Sequence, residues 1–332
     1  MKVLFIGGTG IISSACAELA VQRGIELYVV NRGRSSARPV PEGAHHLVAD
    51  IRRPETVAQV LGRMHFDAVV DWVVYTPAQL EVDLELFRGR AHQYVFISSV
   101  SVYHKPVLTL PITESTPLHN PYWEYSRNKI ACEERLIRAY QEERFPMTIV
   151  RPGHTYDRMT LPFWAGYTVV DRMRKGLPVI VHGDGTTRWV LTHHRDFAKG
   201  FVGLLGNPLA LSQAYHITSD ESLTWDQITQ YVARAAGVDE VDIVHVPSEL
   251  INAYDPDWGA GLLGDFAHSV AFDNTKVKQL VPDFVATTPF AQGAREIMEW
   301  FDTDPARHVV DPRWHELFDR IIEAYRGAFP GS

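Results

Sequence analysis

Through roughly the first 150 residues, short runs of β-branched and aromatic residues alternate with longer stretches whose apolar positions recur at helical spacing. Strands buried on both faces read as near-continuous apolar runs, so this alternation predicts an α/β fold with a doubly wound parallel sheet. The predicted strands are Lys2 to Ile6, Glu26 to Val30, His46 to Ala49, Ala68 to Val73, Gln93 to Ile97 and Met147 to Val150. Helices are predicted at Ser14 to Arg23 and at Tyr125 to Glu143. In the second, Ile130, Leu136, Ile137 and Tyr140 share one side while Glu133, Glu134 and Arg135 are assigned to water. After Arg151-Pro152-Gly153 the alternation weakens, and aromatics, prolines and glycines crowd Leu161 to Arg188. The expected division is residues 1–155 for the sheet, with a returning segment near 190–218, and residues 156–332 mainly for a smaller second lobe. The returning segment holds a short strand at Ala214 to Thr218. Later helical patterns fall at Trp225 to Ala236, Thr288 to Phe301 and Trp314 to Tyr325.

The first strand runs into Gly7-Gly8-Thr9-Gly10-Ile11-Ile12-Ser13 and then a helix. Glycines at such a turn permit positive φ and close approach of a pyrophosphate, and the free amides that open the helix point at the anion. The first domain is therefore read as dinucleotide-binding, with Gly7, Gly10, Ile11 and Ile12 in the turn. Ser13 stands where a third glycine would ease helix packing, and its side chain is small. The second strand ends in Asn31-Arg32-Gly33-Arg34-Ser35-Ser36, two cations and two hydroxyls with no carboxylate. An acid there would bind an adenosine 2′-hydroxyl, whereas Arg32, Arg34 and Ser35 suit a 2′-phosphate. NAD(P) is the expected cofactor and NADP is slightly favoured, although solvated arginines with Asn31 serving NAD fit the same residues. Asp50-Ile51 after the third strand is placed to bracket the adenine.

Tyr125 and Lys129 stand four residues apart, and Ser99 lies 26 residues upstream of Tyr125. Positions i and i+4 share a helix face, and an ammonium beside a phenol lowers the phenol's pKa toward working pH. Such a tyrosine serves as an acid or base on a hydroxyl. Tyr122 and Trp123, just ahead of it, either wall a pocket or pack where the chain enters the helix.

Bulk properties narrow the class further. With 332 residues, 45% of them hydrophobic, the chain has material for a large core. A formal charge of −8 without a basic tract makes nucleic acid a poor partner. Only Cys16 and Cys132 occur, too few for a disulfide framework, and no export signal or long apolar span is seen. A cytoplasmic enzyme without a membrane anchor is expected. The fifteen histidines form no spacing of a metal site, so no metal is expected.

The glycine turn, Asp50-Ile51, Ser99 followed by Val102-Tyr103, Tyr125 with Lys129, and Arg151-Pro152 occur together in the order seen in one family. The chain resembles the extended short-chain dehydrogenase/reductase superfamily, in its NAD-dependent epimerase/dehydratase branch, which includes nucleotide-sugar 4-epimerases. The likeness continues through Gly183-Asp184-Gly185, Arg195-Asp196-Phe197-Ala198 and Phe272-Asp273-Asn274-Thr275-Lys276. It implies a Rossmann domain with a C-terminal substrate lobe, Tyr125 as acid/base and Lys129 on the nicotinamide ribose. Ser99 would bind the reacting hydroxyl, with Ser98 as the neighbouring alternative, and Pro152 would contact the cofactor. A homodimer built on the helix from Tyr125 and its neighbour Gln79 to Phe87 follows by the same analogy.

Departures from the family shape the functional expectation. Val100 and Ser101 stand where dehydratases carry Asp and Glu, against 4,6-dehydration. Tyr75 follows an unusually bulky turn and either lines the substrate pocket or is a core aromatic. His154 replaces a usual Asn and either contacts substrate or is structural. Arg188 approximates one arginine of the epimerases' diphosphate clamp, but Leu263 stands near the second, which puts a nucleoside-diphosphate sugar in doubt. The expected activity is an NAD(P)-dependent, epimerase-type cycle on a sugar-like small molecule, in which a hydroxyl is oxidised to a ketone and re-reduced. A net reductase or dehydrogenase is the alternative. The chain is also similar to atypical members linked to RNA, which leaves a non-catalytic nucleotide-sensing or RNA-associated role as the reading from another class.

Overall fold

The structure, a computed structural model, describes residues 1–34 and 37–328. Ser35 lies outside the described residues. Seven parallel strands form one sheet: β1 (Lys2–Ile6), β2 (Glu26–Asn31), β3 (His45–Val48), β4 (Ala68–Asp71), β5 (Tyr94–Ile97), β6 (Met147–Pro152) and a last strand, Ala214–Ile217, supplied after the chain has left the sheet and returned. Their order across the sheet is Ala214–Ile217, β6, β5, β4, β1, β2, β3. The chain winds outward from β1 in one direction and then from β4 in the other. The reversal between β1 and β4 opens a crevice at the carboxyl ends of those strands, where Ile6 is in register with Asp71 and Val30.

Side-chain alternation along β1 divides the core into two layers. Val3 and Phe5 enter one apolar cluster with Ala15, Cys16, Ala17 and Ala20 of α1 (Ile11–Gln22) and with Phe197 and Phe201 of the helix His194–Leu204. Leu4 and Ile6 enter the other, with α2 (Pro54–Leu61), α3 (Pro77–Phe87) and α4 (Glu124–Glu143). The small residues of α1 let it lie close to the sheet. A third cluster belongs to the C-terminal half, where Trp189, Trp225, Trp258, Ile297 and Phe318 are all buried together.

Two local features depart from the sequence reading for identifiable reasons. β4 stops at Asp71, two residues before the predicted end, because the Asp71 carboxylate accepts the Val73 amide at 2.6 Å and turns the chain. Glu133, assigned above to water, is fully buried. Its carboxylate is held by Arg151 of β6 through Nε at 3.0 Å and Nη2 at 2.6 Å, so it ties α4 to the sheet. Tyr125, Lys129 and Glu133 therefore form one inward face at successive i+4 positions.

Candidate active site

The glycine turn has the backbone its function needs. Gly7 and Gly8 have φ of 100° and 75°, a region that side-chain-bearing residues rarely adopt. A Cβ on Gly8 would also lie 2.9 Å from Val29, so the turn is held against β2. Gly10 caps α1, and its amide donates to Ser13 Oγ at 2.7 Å. The hydroxyl at the third-glycine position thus serves as a local cap while packing, buried, on the sheet. Ile11 and Ile12 form the first turn of α1 and are half-buried.

Beside this turn, across the β1–β4 reversal, lies a cavity of about 460 Å³. Gly7, Thr9, Asn31, Arg32, Arg34, Asp50 and Ile51 line one part of it, and Asp71, Val73, Val74, Tyr75 and Gln79 the other. Asn31 joins the glycine turn to the β2–β3 end, since its Oδ1 accepts the Gly33 amide at 2.7 Å and contacts His46 Nε2 at 2.9 Å. A little farther along the same loop, Arg38 Nε donates to the buried Asp157 carboxylate at 2.6 Å, pinning the loop to the segment after the strand His154–Tyr156. The described residues fit a dinucleotide: positive-φ glycines without side chains, a helix N-terminus, and a cavity with cations and an Asp-Ile pair at one end.

Ser99, Tyr125 and Lys129 are brought together beyond the Tyr75 end of that cavity. Tyr125 opens α4 and is hydrogen-bonded to the Ser99 side chain. Ser99 Oγ also accepts the Ser101 amide at 3.1 Å, which orients it. Ser98 is buried, its hydroxyl without a protein partner, so Ser99 is the serine on the tyrosine. Lys129 is buried, its Nζ donating to the carbonyls of Val74 at 2.6 Å and Ile97 at 2.7 Å. Burial lowers its pKa to about 8. The ammonium lies 4.7 Å from the Tyr75 ring centre and 5.7 Å from that of Tyr125.

This geometry corrects one expectation. Burial pushes the Tyr125 phenol above its usual range, the neighbouring Tyr75 and the Asp265 carboxylate add to that, and Ser99 offsets it only in part. Lys129 donates to two backbone carbonyls rather than to the phenol.

The other proposed positions separate into groups. Tyr75 is 47% exposed, lines the dinucleotide cavity and has its ring centre 6.4 Å from that of Tyr125, so it joins the cavity to the Ser99–Tyr125 pair. Pro152 is buried at the end of β6, in register with Ile217. His154 Nδ1 accepts from Trp189 Nε1 at 3.0 Å, and its ring packs among Trp189, Trp225 and Phe266. Burial lowers its pKa to about 4, so it is neutral there. Arg188 is exposed, with Nε donating to Ser222 Oγ at 3.3 Å. Trp123 packs on Tyr125, with ring centres 4.9 Å apart.

Sequence reading missed two sets of buried polar residues near the site. Asp83 of α3 is fully buried beside Asp71, and Tyr94 of β5 donates to its carboxylate. Its signal was an acid among the apolar positions Leu80, Leu84 and Phe87 of an amphipathic helix. Lys105 and Asp265 form a buried ion pair at 2.9 Å. They are 160 positions apart in the chain by number, and no local pattern links them. Among the described residues no group of three or more His, Cys, Asp or Glu could hold a metal ion, and no helix is long and apolar enough to cross a membrane.

A seven-stranded Rossmann sheet, a positive-φ glycine turn on a dinucleotide-sized cavity and a Ser–Tyr–Lys cluster beyond it define a dinucleotide-binding α/β protein. The model of the NAD dependent epimerase/dehydratase family matches residues 3–217, and the chain belongs to that family. NAD(P) binding follows from that membership. Among curated relatives, 2′-dehydrokanamycin reductase of Streptomyces kanamyceticus is 27% identical over 75% of this chain and 70% of its own length. Chloroplast stem-loop binding protein of 41 kDa b of Arabidopsis thaliana is 27% identical over 74% of this chain and 65% of its own length. UDP-glucose 4-epimerase of Thermus thermophilus, solved in complex with NAD, shares the fold with a TM-score of 0.71 at 22% identity, covering 91% of this chain and 99% of that one.

Proposed function

We propose that the protein is an NAD(P)-dependent reductase of a ketone on a sugar-like small molecule, with NADP as the preferred cofactor. The observation that carries this reading is the placement of the Tyr125 phenol with Ser99 beside the dinucleotide cavity, a phenol that is protonated at neutral pH. A protonated phenol at neutral pH is a donor, and reduction of a ketone needs a proton delivered to the carbonyl oxygen. Ser99 Oγ orients that oxygen, and Tyr125 Oη supplies the proton as charge develops on it. Buried Lys129 holds the Val74 and Ile97 carbonyls and so fixes the turn that shapes this end of the cavity. Bound there, NAD(P) supplies the hydride. Arg32 and Arg34 on the cavity wall support a 2′-phosphate. Leu263 near the position of the second clamp arginine argues against a nucleoside diphosphate on the substrate. The relative named 2′-dehydrokanamycin reductase, matched over 75% of this chain, supports a reductase reading.

An epimerase cycle uses the same residues in both directions, and the family match and the epimerase fold neighbours support it as the second reading. Release and identification of the nucleotide that copurifies separates the two. An empty protein that consumes added NADPH in the presence of a keto sugar fits the reductase. Stoichiometric, tightly held oxidised cofactor with no net absorbance change during turnover sinks it in favour of the epimerase. The RNA-associated reading, prompted by the stem-loop binding relative, predicts salt-sensitive RNA binding unaffected by Tyr125→Phe.

A further inference from the structure

We propose that Asp71 and Asp83 act as one carboxyl pair, holding a shared proton at neutral pH, whose single negative charge favours an oxidised, positively charged nicotinamide over the reduced one. The proposal rests on the dinucleotide reading of the cavity and goes beyond it by assigning a pair of residues to the redox balance of the cofactor.

Burial and two unpaired oxygens favour one proton on the pair. Asp71 and Asp83 are 1% and 0% exposed, and their carboxyls are within hydrogen-bonding reach of each other. Asp71 Oδ1 accepts from the Val73 amide and Asp83 Oδ2 from the Tyr94 hydroxyl. The remaining oxygens, Asp71 Oδ2 and Asp83 Oδ1, have no other protein partner. Two buried carboxylates facing each other through orphaned oxygens are strongly repelled, and one proton between them relieves both the repulsion and the missing hydrogen bond. Aspartates on β4 and α3 are not otherwise needed to close that layer, which is apolar around them.

The pair is also placed to act on a ligand. Asp71 lines the cavity at the end bounded by Val73, Val74 and Tyr75, away from Asp50 and Ile51. The groups facing it are Asp83 from α3, Tyr94 from β5, Tyr75 from the turn after β4, and Lys129 from α4, with Cys132 of α4 next to Tyr94. Lys129 donates to two carbonyls rather than to Asp71, and its charge favours the ionised Asp71. Oxidised and reduced dinucleotides carry the same phosphates and differ at the ring, which is cationic only when oxidised. A negative charge in the wall therefore cancels from the comparison everywhere except at the ring. Tighter holding of the oxidised form makes the bound reduced form a better hydride donor.

Burial raises the Asp71 carboxyl to about 6 and also pushes the Asp83 carboxyl well above the usual carboxylate range, so the pair is neutral at about pH 5 and carries one charge at about pH 7.5. In the full-length protein, calorimetric dissociation constants for NADP⁺ and NADPH give the ratio of interest at about pH 5 and about pH 7.5. That ratio shifts about tenfold in favour of NADP⁺ at the higher pH, the scale for one unit charge acting across a partly desolvated cavity. Asp83→Asn is nearly isosteric: its amide donates to Asp71 permanently and its carbonyl still accepts from Tyr94. It keeps a neutral donor on Asp71 and leaves Asp71 as buried as before, so the ratio still shifts with pH, whereas Asp71→Asn holds it at the low-pH value. Infrared spectra of the wild type at about pH 7.5 show a buried carboxylic-acid carbonyl band that Asp83→Asn removes, a readout independent of ligand. A wild-type ratio that does not move with pH while both forms bind, or a missing band, overturns the pair but leaves the cavity reading intact. Failure of both dinucleotides to bind overturns both.

Discussion

Removing the Glu133 carboxylate tests how α4 is held in place. Glu133 lies two helical steps along the same face from Tyr125, with Lys129 between them. Its side chain is fully buried and receives Arg151 through two bonds, at 3.0 and 2.6 Å, while Arg151 Nη1 also donates to Tyr103 Oη at 3.1 Å and to the Glu114 carbonyl at 3.3 Å. Tyr103 in turn meets His216 Nδ1 at 2.9 Å, so the pair anchors a network that joins α4, β6, the segment after β5 and the returning strand. Glu133→Ala leaves a guanidinium buried without its counter-charge, and breaking such a pair costs about 3–5 kcal/mol. Glu133→Gln keeps the shape and one acceptor and costs less. The double variant Glu133→Leu with Arg151→Met removes both charges and recovers much of the loss, because no charge is then stranded. Urea unfolding followed by tryptophan fluorescence gives the three values, provided the denaturant slopes match the wild type. A loss under about 1 kcal/mol for Glu133→Ala, or a double variant as unstable as the single one, refutes the argument that the pair is fully desolvated.

Tyr125→Phe removes the proton donor while leaving its ring on Trp123, so it lowers turnover of a ketone by about 10²- to 10⁴-fold with NADPH affinity unchanged in calorimetry. Changing Arg32 and Arg34 together to Ala weakens NADP⁺ about tenfold at low salt and leaves NAD⁺ nearly unaffected; parallel titrations check this, and added salt shrinks the difference because both arginines are exposed. His182 is buried, contacts the Phe266 carbonyl through Nε2 at 2.9 Å, and has its pKa lowered by burial from 6.5 to about 4. A depressed folded-state value means that this stability is present above pH 6.5 and lost as pH falls through about 4, and the full difference is worth about 3 kcal/mol. His182→Gln flattens that acid limb in urea midpoints measured against pH.

What the sequence determined by itself is what depends on neighbours along the chain. Lys2–Ile6 followed by Gly7 and Gly8 reads as a strand and turn because apolar continuity and glycine's freedom at positive φ are local properties. Tyr125 and Lys129 share a face because four residues make about one helical turn. The order of Ser99, Tyr125 and Lys129 within a family pattern then supplied the cluster. Tertiary structure decided the rest, since burial and charge partners come from segments far apart in number. Glu133 resembled a solvated helix acid until β6 placed Arg151 against it. The sequence placed Lys129 near the phenol, and the fold aims its ammonium at the Val74 and Ile97 carbonyls while burial raises the phenol's pKa. Asp71 and Asp83 became a pair only when β4 and α3 packed together, because the desolvation that forces two carboxyls to share a proton does not exist in the extended chain.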